Sequence, residues 1–122
     1  MDKLYILVPV HNRRKVTESI VNSIQRQSYQ NYHLILIDDG SKDGTVESIK
    51  SMVPAEQLSI IRGKGNWWWA GSLQKGFKWL KSLKNEINVN DYVLIEKIGF
   101  RGTYKVVTIG SVSEPWVLQF IQ

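Results

Sequence analysis

Short apolar runs alternate with amphipathic segments along this chain, and this pattern predicts strands separated by helices. Four runs have the length of buried strands: Leu4–Val8, Leu34–Ile37, Leu58–Ile61 and Asp91–Ile95. Apolar residues at helical spacing lie between them, in the groups Val16, Ile20, Val21 and Ile24; Val46, Ile49 and Val53; and Leu73, Phe77, Leu80 and Leu83. Strands that alternate with helices predict a three-layer α/β/α domain with a mostly parallel sheet.

The second strand ends on two carboxylates and a sharp turn. Asp38 and Asp39 follow the apolar run, and Gly40 permits the exit because glycine adopts a positive φ at little cost. Asp43 or Thr45 can cap the next helix. The two carboxylates are therefore expected at the C-terminal edge of the sheet, where open α/β sheets bind ligands. An aspartate there can accept hydrogen bonds from a ribose or a uracil-type base, although these residues by themselves also suit an Asx-type turn.

The turn after the first strand holds a second set of candidate binding residues. Pro9 is expected to end that strand, because proline cannot continue the hydrogen-bond ladder. In the turn Val10–Arg14, the backbone and Asn12 can grip a base or a phosphate, and the arginines offer planar donors to phosphate. An exposed helix start explains Arg14 equally well, and His11 is interpreted as a turn residue.

The segment Arg62–Ser72 is glycine-rich and basic, and it contains three adjacent tryptophans, Trp67, Trp68 and Trp69. It is not a P-loop, because its Gly-Lys pair lacks the preceding glycine spacing and a following Ser or Thr. Three adjacent indoles cannot all face one core, so at least one is expected to line a cleft or to pack on a neighbour. Filling of a hydrophobic corner is an equally good explanation. The lysines of the next helix are expected to face solvent: Lys75, Lys78, Lys81 and Lys84.

Composition narrows the class of protein. The chain has 122 residues, which suits one domain with a real core. It contains no cysteine, which excludes disulfides and thiolate metal sites and fits a reducing compartment. No signal peptide or membrane-spanning run is recognised, so a cytoplasmic location is expected, including the inner face of the membrane. The net charge of +5 favours anionic partners such as nucleotide diphosphates, nucleic acid or a phospholipid surface.

Two motifs together resemble the N-terminal half of a family 2 glycosyltransferase with the GT-A fold, whose nucleotide-binding half is Rossmann-like. They are LYILVPVHN (Leu4–Asn12) and LILIDDGSKDGT (Leu34–Thr45). The resemblance implies that the nucleotide is contacted by these residues: Pro9, Val10, His11, Asn12, Arg13, Asp38, Asp39 and Trp67. Asp39 would bind the base. The segment Gly65–Gly71 is similar to that of a rhamnosyltransferase-like subset, which implies a deoxysugar on a thymidine or uridine diphosphate.

The chain departs from the family pattern after its fourth strand. That strand normally runs into an Asp-x-Asp motif that holds Mg²⁺ or Mn²⁺, but here only Glu96 follows, beside a lysine. No metal ligand and no catalytic residue is assigned. Residues 1–95 are therefore predicted to form the GT-A-like nucleotide-sugar-binding domain. Residues 96–122 are predicted to form an unmatched tail with strand-like runs at Tyr104–Ile109 and Trp116–Ile121, as a truncated product would have.

The predicted function is transfer of a sugar from a UDP- or dTDP-linked donor to the hydroxyl of a saccharide or lipid-linked acceptor, in cell-wall or polysaccharide biosynthesis. We also expect peripheral membrane association, self-association into a homo-oligomer through the tail or a sheet edge, and no nucleic-acid partner. Two alternatives stay open. The chain can be a non-catalytic nucleotide-binding or assembly module, or a basic aromatic domain that stacks single-stranded nucleic acid on its tryptophans.

Overall fold

The computed structural model describes the backbone of residues 3–82, 92–97, 100–108 and 117–121, and the side chains of residues 3–68 and 70–82. The strands are β1 (Leu4–Val10), β2 (Tyr32–Asp38), β3 (Leu58–Arg62), β4 (Tyr92–Lys97), β5 (Phe100–Thr108) and β6 (Val117–Ile121). The helices are α1 (Arg14–Gln25), α2 (Thr45–Met52) and α3 (Trp68–Ser82), and a short 3₁₀ turn (Ala55–Gln57) precedes β3.

The strands form a single sheet in the order β3-β2-β1-β4-β5-β6. The first four strands of this order are parallel, and β5 and β6 are added antiparallel to β4 and to each other. Leu34 of β2 pairs with Ile6 of β1 on one side and with Leu58 of β3 on the other. The predicted α/β fold with a mostly parallel sheet is confirmed.

Residues of β1 and β2 point alternately into two hydrophobic clusters, because successive side chains of a strand face opposite sides of the sheet. The cluster under α1 and α2 contains Ile6, Val8, Leu34, Leu36, Val21, Ile24, Val46 and Ile49, among others. The cluster under α3 contains Tyr5, Leu7, Ile35, Ile37 and Leu80. The two central strands are therefore buried on both faces, which explains their continuous apolar sequence.

The prediction that Pro9 ends the first strand is wrong. β1 continues to Val10, and Pro9 pairs with Ile37 of β2. The carbonyl of Val10 accepts a hydrogen bond from the N–H of Asp39 on the β2 side, so alternation turns the nitrogen of Pro9 to the opposite side. There β4 pairs with β1 only as far as Leu7, so the proline leaves no ladder bond unmade.

The prediction that Val16 lies on the apolar face of α1 is wrong. Val16 is 40% exposed, and the buried residues of that helix are Thr17, Val21 and Ile24. Thr17 tolerates burial because its hydroxyl donates a hydrogen bond to the carbonyl of Arg13, at 2.6 Å.

Asp43 is the residue that serves the start of α2. One of its carboxylate oxygens accepts hydrogen bonds from both the N–H and the hydroxyl of Thr45, while Gly44 occupies the N-cap position with a φ of 83°.

Of the predicted solvent-facing lysines, Lys75, Lys78 and Lys81 are exposed. Lys84, Leu83, Ile109 and Trp116 lie outside the described residues. None of the helices in the described ranges combines the length and the apolar character needed to cross a bilayer.

The buried face of α1 can be tested with one substitution at two positions. Val21→Ala is expected to lower the free energy of unfolding by about 1.5–3 kcal/mol, because Val21 is completely buried. Val16→Ala is the matched control and is expected to change it by less than about 0.5 kcal/mol, because Val16 is largely exposed. Urea unfolding followed by circular dichroism measures both values. Equal losses would contradict the assigned face.

Candidate functional site

The loops that follow β1, β2 and β3 leave the same edge of the sheet, because these strands are parallel. Beside them, where β1 ends between the first turns of α1 and α3, lies a cavity of about 390 Å³, a volume typical of small-molecule sites. Its walls are formed by Pro9, Val10, His11, Arg13, Thr17, Ile20, Asp39, Gly65, Trp68 and Ser72.

The carboxylate of Asp39 binds the start of α3. One of its oxygens accepts a hydrogen bond from the N–H of Gly65 at 2.8 Å, and the other accepts bonds from the N–H groups of Trp67 and Trp68 at 2.8 and 3.0 Å. The first N–H groups of a helix have no partner within the helix, so Asp39 satisfies donors that would otherwise be unpaired. A carboxylate has about four acceptor positions, and these three bonds leave one of them.

The same contacts keep Asp39 ionised although it is only 4% exposed. Burial acts to raise the pKa of Asp39, but the N–H groups of Trp68, Gly65 and Trp67, together with the nearby His11, hold that pKa below its ordinary value of 3.8. The wall of the cavity therefore carries a full negative charge at neutral pH.

Glycines allow the loops after β2 and β3 to approach each other closely. A Cβ atom on Gly63 would lie 2.7 Å from the Asp39 carboxylate and 2.7 Å from the ring of Trp67. A Cβ atom on Gly40, whose φ is +76°, would lie 2.8 Å from the backbone nitrogen of Gly65. Any side chain at either position would push apart the two loops that Asp39 joins.

A chain of hydrogen bonds fixes the loop after β1 against the loop after β2. The N–H of Lys42 donates to the Asn12 side-chain oxygen at 2.8 Å, which orients the amide so that its nitrogen donates to His11 Nε2 at 3.3 Å. His11 Nδ1 then donates to the carbonyl of Asp39 at 2.6 Å. Because a carbonyl oxygen only accepts, this contact places a proton on Nδ1 of His11. The N–H of Asn12, whose φ is +49°, also donates to the Ser41 hydroxyl.

The cavity brings together five of the eight residues predicted to bind a nucleotide: Pro9, Val10, His11, Arg13 and Asp39. The other three are not among the residues that line it. Asn12 links two loops, and Asp38 is buried with both carboxylate oxygens 3.3 Å from the N–H of Ser41. The ring of Trp67 packs against the cluster under α3, and the ammonium of Lys75 lies 5.3 Å from its centre.

The sequence did not single out Thr17, Ile20 and Ser72 of the cavity wall, and it indicated Trp68 only as one of three tryptophans of which at least one was expected to line a cleft. Thr17 and Ile20 come from α1, and Trp68 and Ser72 come from the first turns of α3. Each pair is spaced three or four residues apart, which puts its members on one side of a helix. That signal becomes readable only when the first residue of each helix is known.

The described residues do not fit a divalent cation. No three acidic or histidine side chains among them lie close enough together to share a metal ion. The carboxylates nearest the cavity already accept backbone N–H groups: Asp38 from Ser41, Asp39 from the start of α3, and Asp43 from Arg14 and Thr45. The side chain of Glu96 lies outside the described residues.

Replacement of the central carboxylate should reveal its charge as a pH effect. Asp39→Asn is expected to lower the free energy of unfolding by about 1.5–3 kcal/mol at neutral pH, because an amide cannot accept all three N–H groups. The pKa of Asp39 is lowered in the folded protein, so its contribution is present above its ordinary pKa of 3.8 and is lost as the pH falls through the folded-state pKa. Urea unfolding of wild type and Asp39→Asn at several pH values between neutral and acid measures the contribution of Asp39 to the free energy of unfolding.

The difference between wild type and Asp39→Asn should therefore be constant near neutrality and should narrow below about pH 4. Glu56→Gln is the matched control, since Glu56 is exposed in the 3₁₀ turn before β3. It is expected to leave the stability unchanged near neutrality. A difference for Asp39→Asn that stays constant into acid would show that the charge of the carboxylate is not the source of the stability.

Comparison with solved structures identifies the fold. The chain superposes on the mannosyltransferase PcManGT from Pyrobaculum calidifontis, solved in complex with GDP-Man and Mn²⁺, with a TM-score of 0.58 at 18% sequence identity. The match covers 77% of this chain and 26% of that one. The chain thus has the α/β fold of part of a GT-A glycosyltransferase.

Comparison with curated sequences identifies the family. The chain is 40% identical over 52 residues to the UDP-N-acetylglucosamine--dolichyl-phosphate N-acetylglucosaminyltransferase of Methanococcus voltae. This alignment covers 42% of this chain and 20% of the relative. It is 35% identical over 52 residues to the GalNAc(5)-diNAcBac-PP-undecaprenol beta-1,3-glucosyltransferase of Campylobacter jejuni, covering 43% and 17%. The aligned part is thus about a fifth of each relative. The profile of glycosyl transferase family 2 matches residues 5–83, more than half of the sequence, and the chain belongs to that family.

Proposed function

We propose that this chain binds a nucleoside diphosphate sugar in the cavity beside Asp39 and Arg13, as the donor-binding part of a glycosyltransferase. The observation that carries the proposal is the cavity itself. In a family 2 chain it lies at the C-terminal end of β1, with an ionised carboxylate and a guanidinium in its wall. A carboxylate and a guanidinium in one wall suit a ligand that combines hydrogen-bond donors with phosphates.

The donor is proposed to be a UDP- or dTDP-linked sugar. The remaining acceptor position of Asp39 suits the single imide N–H that uracil and thymine share. Arg13 is exposed beside the first turn of α1 and is suited to the diphosphate. Pro9, Val10 and His11 form the adjoining wall, and Asn12 and Asp38 act by holding their loops in place.

The proposed reaction is a displacement at the anomeric carbon of the sugar. The oxygen of an acceptor hydroxyl forms the new bond to that carbon, and the bond to the diphosphate breaks, so the nucleoside diphosphate leaves. The hydroxyl proton passes to a general base. A single displacement of this kind inverts the anomeric configuration, as the family resemblance implies. The described residues are assigned to donor binding, and none is assigned as the base.

The Pyrobaculum mannosyltransferase was solved in complex with GDP-Man and Mn²⁺. In this chain the carboxylates of Asp38, Asp39 and Asp43 accept backbone N–H groups, and no three acidic or histidine side chains of the described residues lie close enough to share such an ion. The proposal therefore gives no step to a metal. Binding with and without Mn²⁺ is compared in the experiment below.

The acceptor is proposed to be a saccharide or a lipid-linked compound at a membrane surface. The names of the Methanococcus and Campylobacter relatives include dolichyl phosphate and a diphospho-undecaprenol. The net charge of +5 favours association with an anionic surface. Self-association through the ends of the sheet, where β3 and β6 each pair on one side, is proposed with it.

Titration calorimetry tests the donor site. UDP, dTDP and GDP are titrated into the protein with and without Mn²⁺, and binding of a pyrimidine diphosphate is expected. Binding without Mn²⁺ is expected because the described carboxylates are engaged by N–H groups, and binding that requires Mn²⁺ would place metal ligands outside the described residues. Failure of all three to bind, together with oligonucleotide binding that weakens steeply with salt, would contradict the proposal in favour of a nucleic-acid-binding domain.

Arg13→Gln tests the assignment of the diphosphate. The variant is expected to weaken UDP binding by about 10-fold and to leave uridine binding unchanged, because it removes a charge-assisted hydrogen bond to phosphate. Arg26→Gln, at the other end of α1, is the matched control and should leave both affinities unchanged. Equal loss for UDP in the two variants would show that Arg13 contributes only long-range charge.

A further inference from the structure

Trp68 combines three unusual properties at the cavity. Its side chain is 80% exposed, more than any other large hydrophobic side chain of the described residues. Its φ is +60°, a conformation that is rare for a bulky residue and is typical of functional sites. It also lines the cavity, while the adjacent Trp67 packs against the core. An exposed indole held in this conformation needs an explanation other than packing.

Asp39 provides the restraint that holds Trp68 in place. The carboxylate accepts the N–H groups of both Trp67 and Trp68, so the backbone is fixed on both sides of the peptide bond between them. Trp67 is anchored in the cluster under α3, and Trp68 then projects to the other side of the chain. The contact thus directs one indole inward and the next one into the mouth of the cavity.

Ser72 lies one helical turn after Trp68 and lines the same cavity. It is 2% exposed, yet no described residue makes a hydrogen bond to its hydroxyl. Other hydroxyls on the helices are paired: Thr17 donates to the Arg13 carbonyl, Ser23 to the Ser19 carbonyl and Ser82 to the Trp79 carbonyl. No buried side-chain oxygen of the described residues lacks a hydrogen-bond partner, so the Ser72 hydroxyl is open to the cavity, where it can pair with a ligand.

We propose that Trp68 and Ser72 form the recognition wall for the base of the nucleotide, with the base stacked on the indole and the Ser72 hydroxyl bonded to its edge. This inference rests on the proposed function and assigns the base to a definite side of the cavity. Aromatic stacking accepts any heteroaromatic base, whereas a hydroxyl and a carboxylate acceptor discriminate between base edges. Asp39 then has a second role, as the residue that positions Trp68.

A base fits this wall better than the sugar of the donor does. Trp68 and Asp39 line the same cavity, and the Asp39 oxygen that accepts only the Gly65 N–H keeps one acceptor position. An aromatic platform beside one acceptor matches a flat ring with an N–H on its edge. Arg13 lines the same cavity at the start of α1, so the diphosphate can bind to Arg13 while the base binds to Trp68.

The test compares binding of UDP, uridine and inorganic pyrophosphate to wild type and to two variants. Trp68→Leu is expected to weaken UDP and uridine binding by about 10-fold, because it removes the stacking surface. It should leave pyrophosphate binding unchanged. Ser72→Ala is expected to weaken UDP binding by roughly 3- to 10-fold through the loss of one hydrogen bond. Trp68→Phe, which retains an aromatic ring, should recover most of the lost affinity.

Tyr29→Leu and Ser82→Ala are the matched controls. Tyr29 is an exposed aromatic residue distant from the cavity in sequence, and Ser82 lies at the end of the same helix as Ser72. Both should bind UDP as wild type does. Circular dichroism and urea unfolding establish that each variant is folded. If Trp68→Leu does not fold, then Trp68→Phe and Ser72→Ala decide: wild-type affinity in Ser72→Ala overturns the proposal.

The outcomes separate this inference from the proposed function. If wild type and Trp68→Leu bind UDP equally, the recognition wall is wrong and the donor site stands. If wild type binds none of the nucleotides, both are wrong. Weaker binding of a UDP-sugar with unchanged binding of UDP would place the sugar on Trp68 and overturn the assignment to the base. If Trp68→Leu weakens the binding of UDP and of pyrophosphate by the same factor, Trp68 acts only through the shape of the cavity, and the assignment of the base to it is wrong.

Discussion

Three hydrogen bonds from the start of α3 to the Asp39 carboxylate are the contact on which the rest of the site depends. They join the loop after β2 to the loop after β3, and they satisfy N–H groups that have no partner within the helix. The helix dipole favours a negative charge at the same place. A buried charge is costly without such partners, so the ionised state of Asp39 and the position of α3 stabilise each other.

The other features of the site follow from this contact. Gly63 and Gly40 lack side chains where the two loops approach most closely. His11 bonds to the carbonyl of Asp39, and Asn12 connects His11 to Lys42, so the loop after β1 is held to the same residue. The loops after three strands therefore line the cavity, and all of them contact or include Asp39. The proposed donor site therefore lies between loops whose relative positions are fixed at the sheet edge.

The three adjacent tryptophans illustrate how one segment serves two purposes. Trp67 contributes apolar surface to the cluster under α3, and the neighbouring residue Trp68 leaves the core with a positive φ. Side chains next to each other at the start of a helix point in different directions, so a single segment can anchor itself and present an aromatic surface to the cavity. The backbone bonds to Asp39 determine which indole takes which direction.

The sequence by itself determined the α/β class, the positions of the strands and helices, and the two loops that carry the polar residues. Those features depend on local periodicity and on where Asp39 and the glycines interrupt it. Tertiary structure alone decided that β1 extends through Pro9, that Val16 faces solvent, and that Trp68 instead of Trp67 lines the cavity. Each of these depends on which neighbours a residue meets across the sheet or between loops, and such neighbours are distant in the sequence.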